Sequence, residues 1–345
     1  MAYLGEGNTP LIESKYLGDT LGLKNLYFKL ENLNPTGSYK DRFASSAVLD
    51  MQKHGKSICF ATSSGNAGAS LSAYCAASGI RCIILVVDGI TSSKTNQMLS
   101  YGAELFEIHD FGKDTKITEK TFDTIKAISE EGNISLQISA YKYSPYGMSG
   151  VENISYELVE TINEIDHVFV PAGGGGLILA IANGFEKLKN CGKIRCFPRI
   201  HCVQPSGNDT MASSIRNKII NNKINKSKTK ISGLQVPNLI DANAVIKKLI
   251  YYNGIGHLVS DTKIFKIQQS LASKEGIFCE PAGATSVAGL FRAVENKEGE
   301  INDNIVCLIT GSGFKDPESL KCMIKSGKHN RIHSNGLPQS LKNIF

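Results

Sequence analysis

The chain predicts an α/β protein made of two open, twisted sheets with helices on both faces. Three observations support this. Short apolar runs alternate with helical patterns along most of the 345 residues, which is the order of proteins with largely parallel sheets. Gly- and Ser-rich turns stand between apolar runs and helical patterns, where open α/β sheets hold ligands. The length exceeds what one compact core accommodates and suits two domains.

Strands are expected at Leu26–Leu30, Ser57–Ala61, Arg81–Val87, Glu104–Ile108, His167–Pro171, Ile200–Gln204 and Ile305–Ile309. Helices are expected at Lys40–Lys53, Asn66–Ser78, Ser93–Tyr101, Asp114–Glu130, Gly150–Ile162, Leu177–Lys187, Thr262–Glu275 and Pro281–Glu295. The stretch Ser57–Ile108 supplies three strands with helices between them, enough for a separate small sheet. Ser144-Pro145-Tyr146-Gly147 reads as a crossover. A small domain at 45–145 is therefore expected, inserted into a large domain formed by 1–44 and 146–345.

Several function classes drop out. The run Cys82-Ile83-Ile84-Leu85-Val86-Val87 is far short of the roughly 20 residues that span a bilayer. Met1–Gly7 lacks a basic segment followed by a long apolar stretch, so a cytoplasmic protein without a membrane partner is expected. The nine cysteines sit in apolar contexts without a Cys-x-x-Cys pair, and read as buried reduced thiols. The seven histidines are dispersed, so no metal site is expected. The net charge of +6 owes much to Lys218, Lys223, Lys226, Lys228 and Lys230. These alternate with Asn and Ile without interleaved aromatics, which describes a solvated insertion rather than a nucleic-acid surface.

Five segments carry chemistry. Lys40 follows the turn Pro35-Thr36-Gly37-Ser38 at the mouth of a helix, where partial positive charge favours a neutral, nucleophilic amine. A solvated lysine is the plainer reading of that segment alone. Thr62-Ser63-Ser64-Gly65-Asn66-Ala67-Gly68 opens a helix after a strand and suits a carboxylate, or is an ordinary Asn-capped turn. Gly173-Gly174-Gly175-Gly176-Leu177 makes a strand–Gly loop–helix, a phosphate cradle without the Lys-Ser/Thr of a Walker loop. Thr310-Gly311-Ser312-Gly313 ends a strand, and Glu280 precedes Pro281 at a helix start.

Together with Gly7-Asn8-Thr9-Pro10-Leu11, these segments resemble in order the fold-type-II (tryptophan synthase β-like) pyridoxal-phosphate enzymes, from about residue 5 to 320. The group includes threonine synthase, threonine dehydratase and cysteine synthase, and the likeness is greatest to threonine synthase. The resemblance implies pyridoxal 5'-phosphate in the cleft between the domains, a small amino-acid substrate and a homodimer. It implies that Lys40 carries the cofactor covalently and, once freed, removes the α-proton. Asn66 would hydrogen-bond the ring's 3-hydroxyl, and Gly173 to Leu177 would hold its phosphate. Ser63, Ser64, Gly65, Asn66 and Ala67 would hold the substrate carboxylate, with Glu280 near the ring or substrate. Thr310 would meet the pyridine nitrogen. A hydroxyl there cannot keep that nitrogen protonated as a carboxylate would, which favours expulsion of a leaving group over a long-lived carbanion.

The threonine synthase reaction turns O-phosphohomoserine into threonine and phosphate. Three features differ from that group's habits. Ala67 stands where threonine is common, the phosphate loop is tetraglycine rather than Gly-Asn-x-Gly-Asn, and 141–150 contains Lys142 as its one cation where an arginine is expected. Lys142 is thus the candidate for a substrate phosphate, as a point charge without an arginine's fork. Elimination or replacement at the β-carbon of serine, threonine or an O-activated serine such as O-phosphoserine stays open. So does a cofactor-binding protein without turnover.

Overall fold

The structure, a computed structural model, describes residues 3–63, 65–90, 92–111, 114–130, 133–220, 226–236 and 239–324, with isolated residues 331, 334 and 342. Ser64, Lys223 and nearly all of the tail lie outside them. The strands are β1 (Leu11–Glu13), β2 (Asn25–Lys29), β3 (Ile58–Thr62), β4 (Arg81–Val87), β5 (Glu104–Ile108), β6 (Ile134–Gln137), β7 (His167–Pro171), β8 (Arg199–Pro205), β9 (Ile255–Val259) and β10 (Asn304–Leu308). They form a six-stranded sheet in the order β1-β2-β10-β7-β8-β9 and a four-stranded sheet in the order β5-β4-β3-β6. All pairings are parallel except β1 with β2.

The large sheet is buried on both faces, which is why its central strands are unbroken apolar runs. Val168, Val170, Ile200, Cys202, Val306 and Leu308 pack into one core with Ile178, Ile181 and Phe185 of the Gly176–Asn190 helix. The alternate residues Phe169, Val203, Ile305 and Cys307 pack into a second core with Ala284, Val287 and Ala288 of the Pro281–Glu295 helix. Successive strand residues point to opposite faces, so one run feeds both cores.

Every expected strand and helix is present within a few residues, and three strands were not foreseen: β1, β6 and β9. The expected crossover at 144–147 is instead the start of a helix, Pro145–Ser149. Pro145 sits in its first turn, where the missing N–H is no loss. That helix lies directly on the Lys40–Lys53 helix; a Cβ on Gly147 would stand 2.8 Å from Phe43. An unforeseen helix, Ala242–Tyr251, buries Val245, Ile246 and Leu249 at helical spacing.

Three histidines cross the large sheet as a buried chain. His167 Nδ1 meets His201 Nε2 at 2.8 Å, and His201 Nδ1 meets His257 Nε2 at 2.8 Å. Asp303 accepts from His167 Nε2 at 2.9 Å, while Arg216 donates to His257 Nδ1 at 3.2 Å. A carboxylate only accepts and a guanidinium only donates, so both ends require the same tautomer, neutral with the proton on Nε2.

Candidate active site

Parallel strands put their carboxyl ends on one side, and the loops leaving β3, β6, β7 and β10 converge there on a single cleft. The enclosed part of the cleft holds about 200 Å³ and opens to solvent at its mouth. Its walls include Lys40, Ser63, Gly65, Asn66, Ala67, Gly173, Gly174, Gly175, Gly176, Leu177, Glu280 and Thr310. Of the residues expected at the site, Ser64 lies outside the described residues. Lys142 is exposed, with its amine 5.4 Å from the Tyr143 ring, and does not line the cleft.

Lys40 is the first residue of its helix, placed by a tight turn in which Gly37 takes φ +88° and donates to Asn34 O. Thr36 donates from its backbone N–H and its hydroxyl to Asp41, so the turn and the helix start are tied together. Tyr39 N donates to Thr310 O at 3.1 Å, and Ser312 N donates to Gly37 O at 2.8 Å, which fastens the lysine turn to the end of β10. The Lys40 amine reaches across to Ser139 Oγ at 2.8 Å. Behind it, Arg42 forms a fork onto Glu31 and a second onto Glu157, which also accepts from Lys29. Burial pushes the Glu157 carboxyl up, yet hydrogen bonds and charge from Arg42, aided by Lys29, bring it down to about 2.

Ser63 Oγ accepts from the N–H groups of Gly65 (3.0 Å) and Gly68 (2.8 Å) at the start of the Asn66–Ala77 helix. Asn66 and Ala67, in that helix's first turn, both line the cleft. Asn66 Nδ2 donates to Glu280 Oε1 at 2.8 Å, a bond between two loops that are 214 residues apart. Glu280 N donates to Gly311 O, and a Cβ on Gly311 would displace the Glu280 carboxylate from its present position. The half-buried Lys315 donates to Gln97 at 2.7 Å; burial lowers its pKa, against the pull of Glu280 and Asp41.

The tetraglycine loop is tightly packed at Gly173, Gly175 and Gly176. A Cβ on Gly173 would lie 3.0 Å from Gly233 O, and one on Gly176 3.0 Å from Ser139 O. Gly175 takes φ +100° at the mouth of the Gly176–Asn190 helix. Bare amides at a helix N-terminus are an anion site.

The sequence reading missed two walls. Ile138, Ser139 and Ala140 follow β6, whose signal was the alternation Ile134-Ser135-Leu136-Gln137-Ile138. Ser232, Gly233, Leu234, Val236 and Ile240 form the other, just beyond the Lys-rich stretch. Lys218, Lys226, Lys228 and Lys230 are exposed as expected, but Ile231 and Leu234 are buried and belong to the core.

Fold and cleft together define an α/β protein with an amine, a glycine loop and a helix N-terminus around one space. The chain belongs to the family described as pyridoxal-phosphate dependent enzyme, whose model matches residues 2–311. It is 34% identical over 322 residues to a threonine synthase of Methanocaldococcus jannaschii, covering 92% of this chain and 77% of that one. It is 33% identical over 319 residues to a threonine synthase of Halalkalibacterium halodurans, covering 92% and 85%. The structure of maize serine racemase has the same fold, at a TM-score of 0.72 and 24% identity, covering 97% of this chain and 92% of that one.

Proposed function

We propose that this protein is a pyridoxal-phosphate-dependent carbon–oxygen lyase that makes threonine and phosphate from O-phosphohomoserine and water. The observation that carries the reading is the 33–34% identity to threonine synthases across 92% of the chain, with Lys40, Asn66, the glycine loop and Thr310 all in one cleft. The walls fit the cofactor. Its phosphate suits the bare amides of the glycine loop, its aldehyde suits the Lys40 amine, and its ring suits Asn66 and Thr310. When bound, pyridoxal phosphate supplies an electron sink that makes the substrate's α-proton removable.

This chain's residues supply the rest. Lys40 anchors the cofactor and then takes the α-proton, with Ser139 Oγ orienting its amine. The first-turn amides of Asn66 and Ala67 hold the substrate carboxylate, in a loop shaped by Ser63 and Gly65. Glu280 steadies Asn66. The same reading makes 45–145 the small domain, 1–44 with 146–345 the large one, and the chain a cytoplasmic homodimer.

One observation favours a second reading, β-elimination from serine, threonine or an O-activated serine. Among the described residues lining the cleft, Lys40 is the single cation, so a substrate phosphate finds little charge to meet it. Phosphate release by the holoenzyme from O-phosphohomoserine and from O-phosphoserine separates the two. Turnover of the former supports the proposal; turnover of the latter alone, or of free serine to a keto acid, overturns it.

A further inference from the structure

Three cysteines meet in the small sheet, away from the cleft chemistry. Cys59 on β3 and Cys82 on β4 are partners in the parallel register, so their side chains point to the same face. The Asn66–Ala77 helix brings Cys75 onto them. All three sulfurs lie within 4.8 Å of one another, and the residues are 0%, 5% and 0% exposed for Cys59, Cys82 and Cys75. Bonds of about 2.3 Å from a shared centre would set three sulfurs roughly 4 Å apart, which this spacing accommodates.

Charge decides what the centre can be. The cluster belongs to an apolar core with Ala61, Leu71 and Ile84. No basic side chain is among the groups that act on any of the three sulfurs. Three thiolates around a monovalent or divalent ion would leave net negative charge in this core, which burial disfavours. Around a trivalent centre they leave none.

We propose that Cys59, Cys75 and Cys82 form a binding site for a trivalent, thiophilic metalloid, arsenic(III) or antimony(III), taken up as its neutral trihydroxide. Each thiol gives its proton to one departing hydroxide. Three S–H and three As–O bonds break, three As–S and three O–H bonds form, and three waters leave. No electron is transferred, and charge is zero before and after. The sulfurs are buried, so uptake follows local separation of the helix from the sheet and is slow.

The test uses holoenzyme in which the exposed Cys191, Cys196 and Cys322 are replaced by serine, so that surface thiols do not compete. It is incubated with sodium arsenite, freed of excess by gel filtration, and examined for arsenic content and by arsenic X-ray absorption with the cofactor absorbance intact. The expected result is one arsenic per chain with three sulfur neighbours and no oxygen. Cys75→Ala and Cys82→Ala should each weaken retention by about a hundredfold, the loss of one arm of a multivalent grip. No retained arsenic, oxygen in the shell, or undiminished retention in those variants overturns the proposal. So does tighter retention of cadmium(II) chloride than of arsenite, since the charge argument would then be wrong. The absorption measurement on the parent protein stands even if a variant fails to fold.

Discussion

Lowering the pH from 7 to 5 should destabilise the large sheet through its histidine chain. Burial holds the His257 imidazole down at about 4, against the ordinary 6.5, with Arg216 adding to the effect and Glu298 opposing it. Burial and the neighbouring His257 and His167 hold His201 well below its ordinary value, and burial lowers His167 against the pull of Asp303. Above pH 6.5 folded and unfolded chains are both neutral here. As the pH falls towards 4, the unfolded chain takes up protons that the folded chain refuses, and stability falls. For His257 alone, the difference between 6.5 and 4 costs about 2 kcal/mol at pH 5. Burial raises Asp41 and Asp241, which work in the opposite sense, so a difference between proteins carries the test. Urea unfolding of the holoenzyme and of His257→Leu at pH 7 and pH 5, at one ionic strength, supplies it. The variant should lose about 2 kcal/mol less than the parent between the two pH values. Equal acid sensitivity in the two proteins would refute the reasoning.

Three further outcomes follow from the site and its support. Lys40→Ala should abolish covalent cofactor attachment and lower turnover by at least about a thousandfold; phosphate release within tenfold of the parent would show that another group is the base. Gly176→Ala places a methyl 3.0 Å from Ser139 O and 3.1 Å from Met148 Cε, and should weaken cofactor affinity about tenfold in a fluorescence titration. An unchanged affinity would remove that loop from the phosphate site. Glu157→Gln leaves Arg42 and Lys29 short of a charged partner and should cost about 3 kcal/mol at pH 7 in urea unfolding. The Glu157 contribution is present above the ordinary 4.5 and is lost as the pH falls towards 2, so the deficit of the variant should shrink over that range.

Much of the architecture was legible where local chemistry and burial agree. β4 and β7 match their expected bounds because strands covered on both faces are continuous apolar runs between turn residues. β9 escaped notice because Gly256 and His257 interrupt its apolar run. The glycine is required by Ala212, whose carbonyl a Cβ would strike, and the histidine by its place in the buried chain. β6 is short and half-buried at a sheet edge, so its alternation was weak, and Ser139 went with it. Lys142 is placed differently from the other expected site residues. The family's arginine before the Gly150 helix suggested a site role for it, while its backbone N–H is bound to Asp241 and its amine lies by Tyr143.

The order of motifs along the chain was enough to specify the α/β class, the lysine turn and the glycine loop. Each depends on bonds within a few residues: a turn that needs glycine, a helix that needs a start, a run that needs burial. The bond from Asn66 to Glu280, the reach of Lys40 to Ser139, the histidine chain and the three-sulfur cluster were decided by tertiary structure alone. Strand register and the packing of helices onto sheets set which distant side chains share a face, and no spacing in the sequence encodes that pairing.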